Sequence, residues 1–272
     1  MFNLVHLRFF YDASRLGSVT EAAKANYVSQ SALSQGIKKL ERDLGFSLIT
    51  HQKNRFILTE EGRLAFSHAR RIFSEIEVMQ EELNSLSGQV AGSITFACTN
   101  SIARALIPKA LLKCRQEYPL LKVNFRRGSI RFILDQLSSG KVDFAIVVDG
   151  ERFQSFEKHR IKSGEFYVYK HPECCLDWEE GIYVDHVDSP EMEVIRGKCP
   201  EIKVLEELSG WGMVEEFVKQ GLGPGLLPDF MKDDLSMKKV RTGIPEIPYS
   251  IAAVRQKGLP FSKTMEAFVS LL

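Results

Sequence analysis

Polar and basic side chains are grouped near the N-terminus, on one face of a predicted helix and at the tip of a predicted hairpin. The helix face carries hydroxyl, amide and amino groups at Ser29, Gln30, Ser31, Ser34, Gln35 and Lys38, and the hairpin carries Lys53 and Arg55. Gln pairs bidentately with adenine in the major groove, Ser bonds to bases or phosphates, and Lys and Arg neutralise phosphates. Each residue alone would fit a solvated surface equally well, but together they predict binding to double-stranded DNA.

Three short helices and a hairpin must position these groups. Apolar residues recur at helical spacing up to Gly17, which ends the first helix. Ser18 and Ser29 stand where the second and third helices need N-caps, and Gly45 ends the third. Residues 48–58 predict two short strands around a polar, basic tip. This order is typical of a winged helix-turn-helix, whose recognition helix enters the major groove.

A long helix without proline is predicted from Glu60 to about Ser87. Its apolar residues are spaced alternately by four and three positions, the 3.5-residue repeat of a coiled-coil seam. The seam consists of Ala65, Ala69, Ile72, Ile76, Met79, Leu83 and Leu86. The alternative is a single amphipathic helix that lies on its own domain. The strict alternation and the flanking charges favour dimerisation with a second copy of the chain.

From Ser93 onward, strand-like and helix-like segments alternate. Strands are predicted at 93–98, 121–126 and 142–148, with helices over 103–117 and 130–138 between them. The segment 142–148 is almost wholly apolar, as expected for a strand buried on both faces. The β-α-β-α-β order predicts a mostly parallel sheet in an α/β domain. Further strand-like segments lie at 165–169, 181–184 and 249–255.

The composition is that of a globular protein, with 44% hydrophobic and 26% charged residues among 272. The net charge of +1 conceals an uneven distribution, because residues 1–71 hold 11 Lys and Arg against 6 Asp and Glu. A basic segment on a neutral body suggests a polyanionic partner. The sequence has no signal-peptide pattern and no apolar run of membrane-spanning length. It therefore predicts a cytoplasmic protein with no membrane partner.

No constellation of residues predicts catalysis, a cofactor or a metal. A Ser/His/Asp triad and paired carboxylates are both missing, so an enzyme is not expected. The five cysteines are irregularly spaced, unlike a disulfide framework. Cys174 and Cys175 follow His171 but lack the Cys-x2-Cys spacing of most metal sites. A metal or redox role for this pair, or for Cys199, is kept only as a minor alternative.

The N-terminal segment resembles the DNA-binding domain of the LysR-type transcriptional regulators. The matching residues are Leu7-Arg8-Phe9-Phe10, Gly17-Ser18, Ala22-Ala23, the run from Val28 to Gln35, Ile37, Leu40-Glu41, Leu44-Gly45, and the run from Leu58 to Gly62. Later segments resemble the effector domain of the same family, at Tyr118-Pro119, from Gly140 to Val147, and from Gly221 to Pro228. The resemblance therefore covers nearly the whole chain.

The resemblance implies a winged helix-turn-helix over residues 1–59 and a linker and dimerisation helix over 60–88. It implies a two-lobed, periplasmic-binding-protein-like α/β effector domain over 93–272. Lobe I would comprise 93–163 and 249–272, and lobe II would comprise 164–248. The fold class is thus a two-domain chain that combines an α+β head with an α/β body. The implied partners are double-stranded DNA, a small-molecule effector and further copies of the chain, as a homodimer or homotetramer, with RNA polymerase as another candidate.

The resemblance also implies an effector site between the lobes. Its contacts would come from Thr99, Asn100, Ser101, Gly128, Ser129, Ser209 and Trp211. Several of these positions precede predicted helices, where free N–H groups and small hydroxyl side chains favour anions. A carboxylate is therefore the favoured effector class. For Thr99 and Ser101, simple helix capping is an equally good explanation.

Several residues depart from the family pattern in the head. Ser31 replaces a usual Pro, Gly36 a helix-favouring residue, and Asn26 an aliphatic one. Because Gly in a helix costs about 1 kcal/mol relative to Ala, the recognition helix is expected to be looser than in most relatives. Ile49, His51 and Gln35 replace Phe and two frequent Arg residues. DNA affinity is therefore expected to be modest and to depend more on Lys38, Lys53 and Arg55.

Two other functions remain open at this point. The segment between Tyr169 and Gly181 is shorter than is typical of the family, which would fit a DNA-binding regulator whose cleft is degenerate and binds nothing. A cytoplasmic small-molecule-binding protein, with the head as an oligomerisation module, is the alternative from another class. Sequence-specific DNA binding would exclude the second, and a ligand-induced thermal shift would exclude the first.

Overall fold

The computed structural model describes residues 2–52, 55–85, 90–232, 236–244 and 247–272. The N-terminal head contains α1 (Leu4–Leu16), α2 (Val19–Ala25), α3 (Gln30–Leu44), β1 (Ile49–Gln52) and β2 (Arg55–Leu58). The predicted caps are confirmed: Ser18 accepts from the N–H of Glu21, and Ser29 accepts from that of Ala32. Gly45 ends α3 with a left-handed backbone. The strands β1 and β2 form an antiparallel hairpin in which Gln52 pairs with Arg55, as the wing requires.

The helix α4 (Glu60–Ser85) leaves the head and continues as the linker. Its first turns complete the core of the head, where Ala69 and Phe73 are buried with residues of α1 and α3. The ring of Tyr11 in α1 lies 5.5 Å from Phe66 and 5.3 Å from Phe73, measured between centroids. The N-terminal half of α4 therefore belongs structurally to the head.

The remaining chain forms one mixed sheet with helices on its faces. Its elements are β3 (Gly92–Cys98), α5 (Asn100–Ala105), α6 (Ile107–Glu117), β4 (Leu121–Arg127), α7 (Ile130–Ser138), β5 (Phe144–Val148), β6 (Phe156–Lys170), β7 (Ile182–Val184), α8 (Pro190–Lys198), β8 (Val204–Glu207), α9 (Trp211–Lys219), β9 (Gly225–Pro228), β10 (Lys238–Lys239), β11 (Ile247–Gln256) and α10 (Lys263–Val269). The strand order is β4-β3-β5-β11-β6-β9-β7-β8, with β10 beside β6. The β3-β4 and β3-β5 pairs are parallel, as the β-α-β-α-β pattern predicts.

Two long antiparallel strands connect the two halves of this sheet. In register, β6 and β11 pair from Phe156 with Gln256 to Phe166 with Ile247. A β-bulge between Ile251 and Ala252 shifts the register in the middle of β11. The expected lobe boundaries at 163/164 and 248/249 fall inside these two strands. The strands thus lie in both halves and form a continuous backbone connection between them.

The helix predicted over 103–117 is two helices in the structure. A break at Leu106 separates α5 from α6, and Pro108 occupies the first turn of α6. Because proline has no N–H to donate, it is tolerated in a first turn but not in a helix interior. The first of these helices begins at Asn100, immediately after β3.

Buried polar contacts hold α4 against the body. Arg70 donates to the carbonyl of Leu137 over 2.7 Å, and Arg255 donates to Ser74 Oγ over 3.0 Å. Farther along α4, Glu81 accepts from Thr264 Oγ1 over 2.7 Å. Asp143 lies at the same junction, where burial raises the pKa of its carboxyl although the Thr95 N–H and Arg255 favour the charged form. The linker is thus connected to α7, β11 and α10 of the body.

Candidate DNA interface and effector cleft

The structure exposes the predicted recognition face of α3. Ser29, Gln30, Ser31, Gln35 and Lys38 are exposed and Ser34 is half-buried, whereas Leu33, Ile37 and Leu40 are buried on the opposite side. The Ser29 and Ser31 hydroxyls are 3.0 Å apart. Gln30 accepts a hydrogen bond from Thr20 Oγ1 over 3.2 Å, which links the start of α3 to α2. The first turn of α3 therefore presents several hydrogen-bonding groups to solvent in one place.

Two departures from the family pattern have structural explanations. Gly36 is buried where α1 crosses α3, and its missing side chain leaves room for Phe9. The glycine in α3 therefore allows a close approach of α1 to α3. Asn26 donates to Asp12 Oδ2 over 3.0 Å, and Asp12 also accepts from Arg8 and Arg15. A buried carboxylate with three donors thus connects α1 to the end of α2.

Sequence reasoning missed an exposed aromatic residue before the start of the recognition helix. Tyr27 lies in the turn between α2 and α3, is 97% exposed and has a φ of 56°. A left-handed backbone is uncommon for a bulky residue. No feature of the local sequence indicated this exposure. In the wing, Lys53 lies outside the described residues, and the strand position of Arg55 is described but its side chain is not.

A cavity in the body lies where α5 and β4 of the first half face the start of α9 in the second half. It has a volume of about 430 Å³ and is lined by Asn100, Ser101, Ala103, Arg104, Phe125, Arg127 and Gly212. Of the seven predicted effector residues, only Asn100 and Ser101 line it. Arg104 and Arg127 were not predicted, although Arg127 immediately precedes the predicted pair Gly128 and Ser129. The cavity therefore has two cationic side chains that the sequence reasoning missed.

Five of the predicted effector residues are not among those that line this cavity, namely Thr99, Gly128, Ser129, Ser209 and Trp211. Ser129 caps α7 by accepting from Phe132 N over 3.3 Å. Thr99 precedes α5 but makes no capping bond, and its buried hydroxyl has no hydrogen-bond partner among the described residues. Trp211 packs edge-on against Phe166 at 5.4 Å between ring centroids. Ser209 is exposed just before α9.

An ion pair at the cleft connects the two halves of the body. Arg104 of α5 pairs with Glu215 of α9, whose side chain is buried. Lys219, one turn later in α9, approaches the other carboxylate oxygen of Glu215 to 2.6 Å. Glu215 is thus compensated by one cation from its own helix and one from the opposite half. The Arg104 side chain itself is 51% exposed.

The predicted coiled-coil seam on α4 divides into two parts. Ala65, Ala69 and Ile76 pack on the head, so the alternative of a helix on its own domain holds for this part. Met79 and Leu83 are 52% and 60% exposed, and Ile72 is 36% exposed. Leu86 lies outside the described residues. The exposed part is the only portion of the described seam available to a second chain.

The structure offers no support for the minor alternatives. All five cysteines are free, and Cys174 is buried while Cys175 is exposed. Burial raises the pKa of the Cys98 thiol to about 12, which keeps it protonated. Within the described ranges, no cluster of three or more His, Cys, Asp or Glu side chains is arranged to hold a metal ion. Nor does any helix there combine the length and apolarity needed to span a membrane.

Two family models match the chain. Residues 4–63 match the bacterial regulatory helix-turn-helix of the LysR family, and residues 87–186 match the LysR substrate-binding domain. Among curated relatives, the uncharacterised HTH-type transcriptional regulator YybE of Bacillus subtilis is 24% identical over 96% of this chain and 95% of its own. The HTH-type transcriptional regulator CysB of Burkholderia cenocepacia is 27% identical over 84% of this chain and 78% of its own. These relatives are named as transcriptional regulators, not as enzymes.

Solved structures share the fold. A full-length OxyR variant from Pseudomonas aeruginosa matches with a TM-score of 0.77 at 18% identity, covering 100% of this chain and 94% of its own. Full-length CbnR in complex with its target DNA matches with a TM-score of 0.56 at 17% identity, covering 99% and 98%. With the helix-turn-helix head, the substrate-binding body and both family models in agreement, this chain belongs to the LysR family of DNA-binding transcriptional regulators.

Proposed function

We propose that this LysR-type regulator binds a specific, pseudo-palindromic DNA site as a homo-oligomer, and that a small anionic effector in its cleft controls the regulation. The main support for DNA binding is the exposure of polar side chains in the first turn of α3. Its Ser29, Gln30 and Ser31 side chains are exposed together, while Leu33 and Ile37 fix the helix on the head. Ser34, Gln35 and Lys38 extend the same surface for base and phosphate contacts.

The proposal divides the work among three segments. Residues 1–59 bind DNA, residues 60–88 link and dimerise, and residues 93–272 bind the effector. The packing of Ala69 and Phe73 into the head supports rigid transmission of motion from linker to DNA. Two heads on one site would read two half-sites, so their spacing would decide the affinity and the DNA bend.

The anionic class of effector follows from charge in the cleft. Arg104 and Arg127 both line the cavity, and Asn100 and Ser101 add polar groups beside them. Arginine matches carboxylates with a fork of donors, and a partly enclosed cavity strengthens such pairing. A volume of about 430 Å³ is in the range of small-molecule sites. A small carboxylate fits both the charge and the size.

The experiment that tests the DNA proposal is selection of bound sequences from a random duplex pool at low and moderate salt. A pseudo-palindromic consensus is the expected result. Equal affinity for all sequences, falling steeply as the salt concentration rises, would contradict the proposal. Contacts to phosphates alone carry no sequence information.

A regulator with a degenerate cleft is the second candidate. The short segment between β6 and β7 favours it, because only residues 171–181 separate these strands. A screen for thermal stabilisation by small molecules separates the two candidates. A ligand at 100 times its Kd stabilises the folded state by about 2.7 kcal/mol, which is readily measured.

A further inference from the structure

We propose that the ion pair between Arg104 and Glu215 is an interlobe clasp, and that an anionic effector opens it by taking Arg104. The inference rests on the proposed function and specifies how the same cleft is regulated. Arg104 belongs to α5 in the first half of the body, and Glu215 belongs to α9 in the second. The pair is therefore a direct electrostatic connection between the two halves.

The surroundings of Glu215 make the exchange feasible. A buried carboxylate left without a cation costs several kcal/mol, so an ion pair whose only cation leaves would be hard to open. Glu215 has a second cation, because Lys219 Nζ lies 2.6 Å from its other oxygen. Lys219 is on the same helix and stays with Glu215 when the halves move. The carboxylate is thus still compensated after Arg104 departs.

Arg104 is equally suited to the exchange. Its side chain is 51% exposed, so it has room to change rotamer without disturbing the core. It lines the cavity together with Arg127, which supplies a second positive charge to the same space. A carboxylate that enters the cavity would compete with Glu215 for the guanidinium of Arg104 and would also pair with that of Arg127. The ligand thereby replaces a protein carboxylate and releases the link between α5 and α9.

The clasp predicts opposite effects for its two members. Glu215→Gln removes the competitor, so the full chain should bind a carboxylate about fivefold more tightly, equivalent to about 1 kcal/mol. Arg104→Gln removes the guanidinium that would bind the effector, so carboxylate binding should be abolished. The controls are Glu216→Gln, an exposed neighbour on α9, and Arg115→Gln, an exposed cation on α6.

The experiment measures thermal shifts and titrations of the full chain with acetate, succinate, citrate and sulfate at constant ionic strength. A Trp178→Phe background leaves Trp211, at the start of α9, as the sole tryptophan and reports on movement beside the cleft. We expect a carboxylate to bind the wild type, to bind Glu215→Gln more tightly and not to bind Arg104→Gln. The Trp211 emission of ligand-free Glu215→Gln should match that of the ligand-bound wild type.

Three results would overturn the clasp. These are equal affinity of Glu215→Gln and the wild type, binding to Arg104→Gln at wild-type strength, and no binding of any probe to either the wild type or Glu215→Gln. Selection from random DNA is run on the same variants, whose heads are unaltered. If the wild type shows no sequence preference, the proposed DNA function is refuted. That outcome does not affect the measurements of anion binding, so failure of the DNA proposal is distinguishable from failure of the clasp.

Discussion

Gly36 in the recognition helix lies directly against the ring of Phe9 in α1. A Cβ at position 36 would come within 2.7 Å of Phe9 Cδ2 and 3.1 Å of His6 Cδ2. Helices α1 and α3 thus approach each other more closely than any residue larger than glycine at position 36 would allow. A glycine that helix propensity alone marks as unfavourable is explained by packing between helices.

Gly36→Ala should therefore destabilise the head, although Gly to Ala in a helix normally stabilises by about 1 kcal/mol. Overpacking against Phe9 and His6 should cost about 1–3 kcal/mol, measured by urea unfolding. Gly197→Ala is the matched control, because position 197 lies in α8 with nothing within 4 Å of the added Cβ. Gly197→Ala should stabilise. Equal stabilisation by both substitutions would refute the close approach, and Phe9→Leu should rescue Gly36→Ala if the ring is the obstacle.

Gln30→Ala should reduce base discrimination at one position of each half-site. A bidentate base contact is worth about 1–3 kcal/mol, so competition binding against single-base operator variants would show a flattened preference. Lys38→Ala should instead weaken binding to all sequences equally. It should also reduce the slope of log affinity against log salt concentration by about one. If Gln30→Ala left the preference intact while Lys38→Ala altered it, the assignment of the recognition face would be wrong.

Met79→Lys with Leu83→Lys should disperse the proposed oligomer without unfolding the head. Both side chains are more than half exposed in the single chain, so their apolar surface contributes to stability only when a second chain covers it. Sedimentation should show a smaller particle, with the thermal midpoint of the diluted protein nearly unchanged. Ser67→Lys, at an exposed position on a different face of α4, is the control and should leave the mass unaltered. Ile76 is unsuitable for this test, because it packs on the head core.

Asp143 should make the protein less stable as the pH rises. Burial raises the pKa of its carboxyl above the ordinary value of 3.8, so the folded state binds the proton more tightly than the unfolded state does. Its contribution to the free energy of unfolding is therefore largest below pH 3.8 and is lost as the pH rises through the folded pKa.

Asp143→Asn should remove this part of the pH dependence, since the amide oxygen can still accept the Thr95 N–H, which lies 2.7 Å from Asp143 Oδ2. Urea unfolding from acidic to neutral pH gives the comparison. Asp135→Asn, at an exposed position on α7, is the control and should follow the wild type. A variant curve parallel to that of the wild type would mean that Asp143 does not titrate differently in the folded state.

Local signals explain why much of the head was predictable. The N-caps Ser18 and Ser29 and the C-cap Gly45 act within a few residues of their own position, and the structure uses all three as expected. The buried strand β5 (Phe144–Val148) was visible as an apolar run for the same reason. The break at Leu106 was missed although Pro108 marks it in the sequence, because the apolar pattern continues through α5 and α6.

By itself the sequence determined the order of the elements, the polar face of α3 and the family, since periodicity, capping and motif spacing are properties of neighbouring residues. Only the tertiary structure decided which half of the α4 seam is buried and which side chains meet in the cleft. Arg104 and Glu215 are distant in the chain, and nothing in the local pattern of either residue indicates its partner. Such pairs are set by how helices and sheet pack against each other, which brings together side chains from opposite lobes.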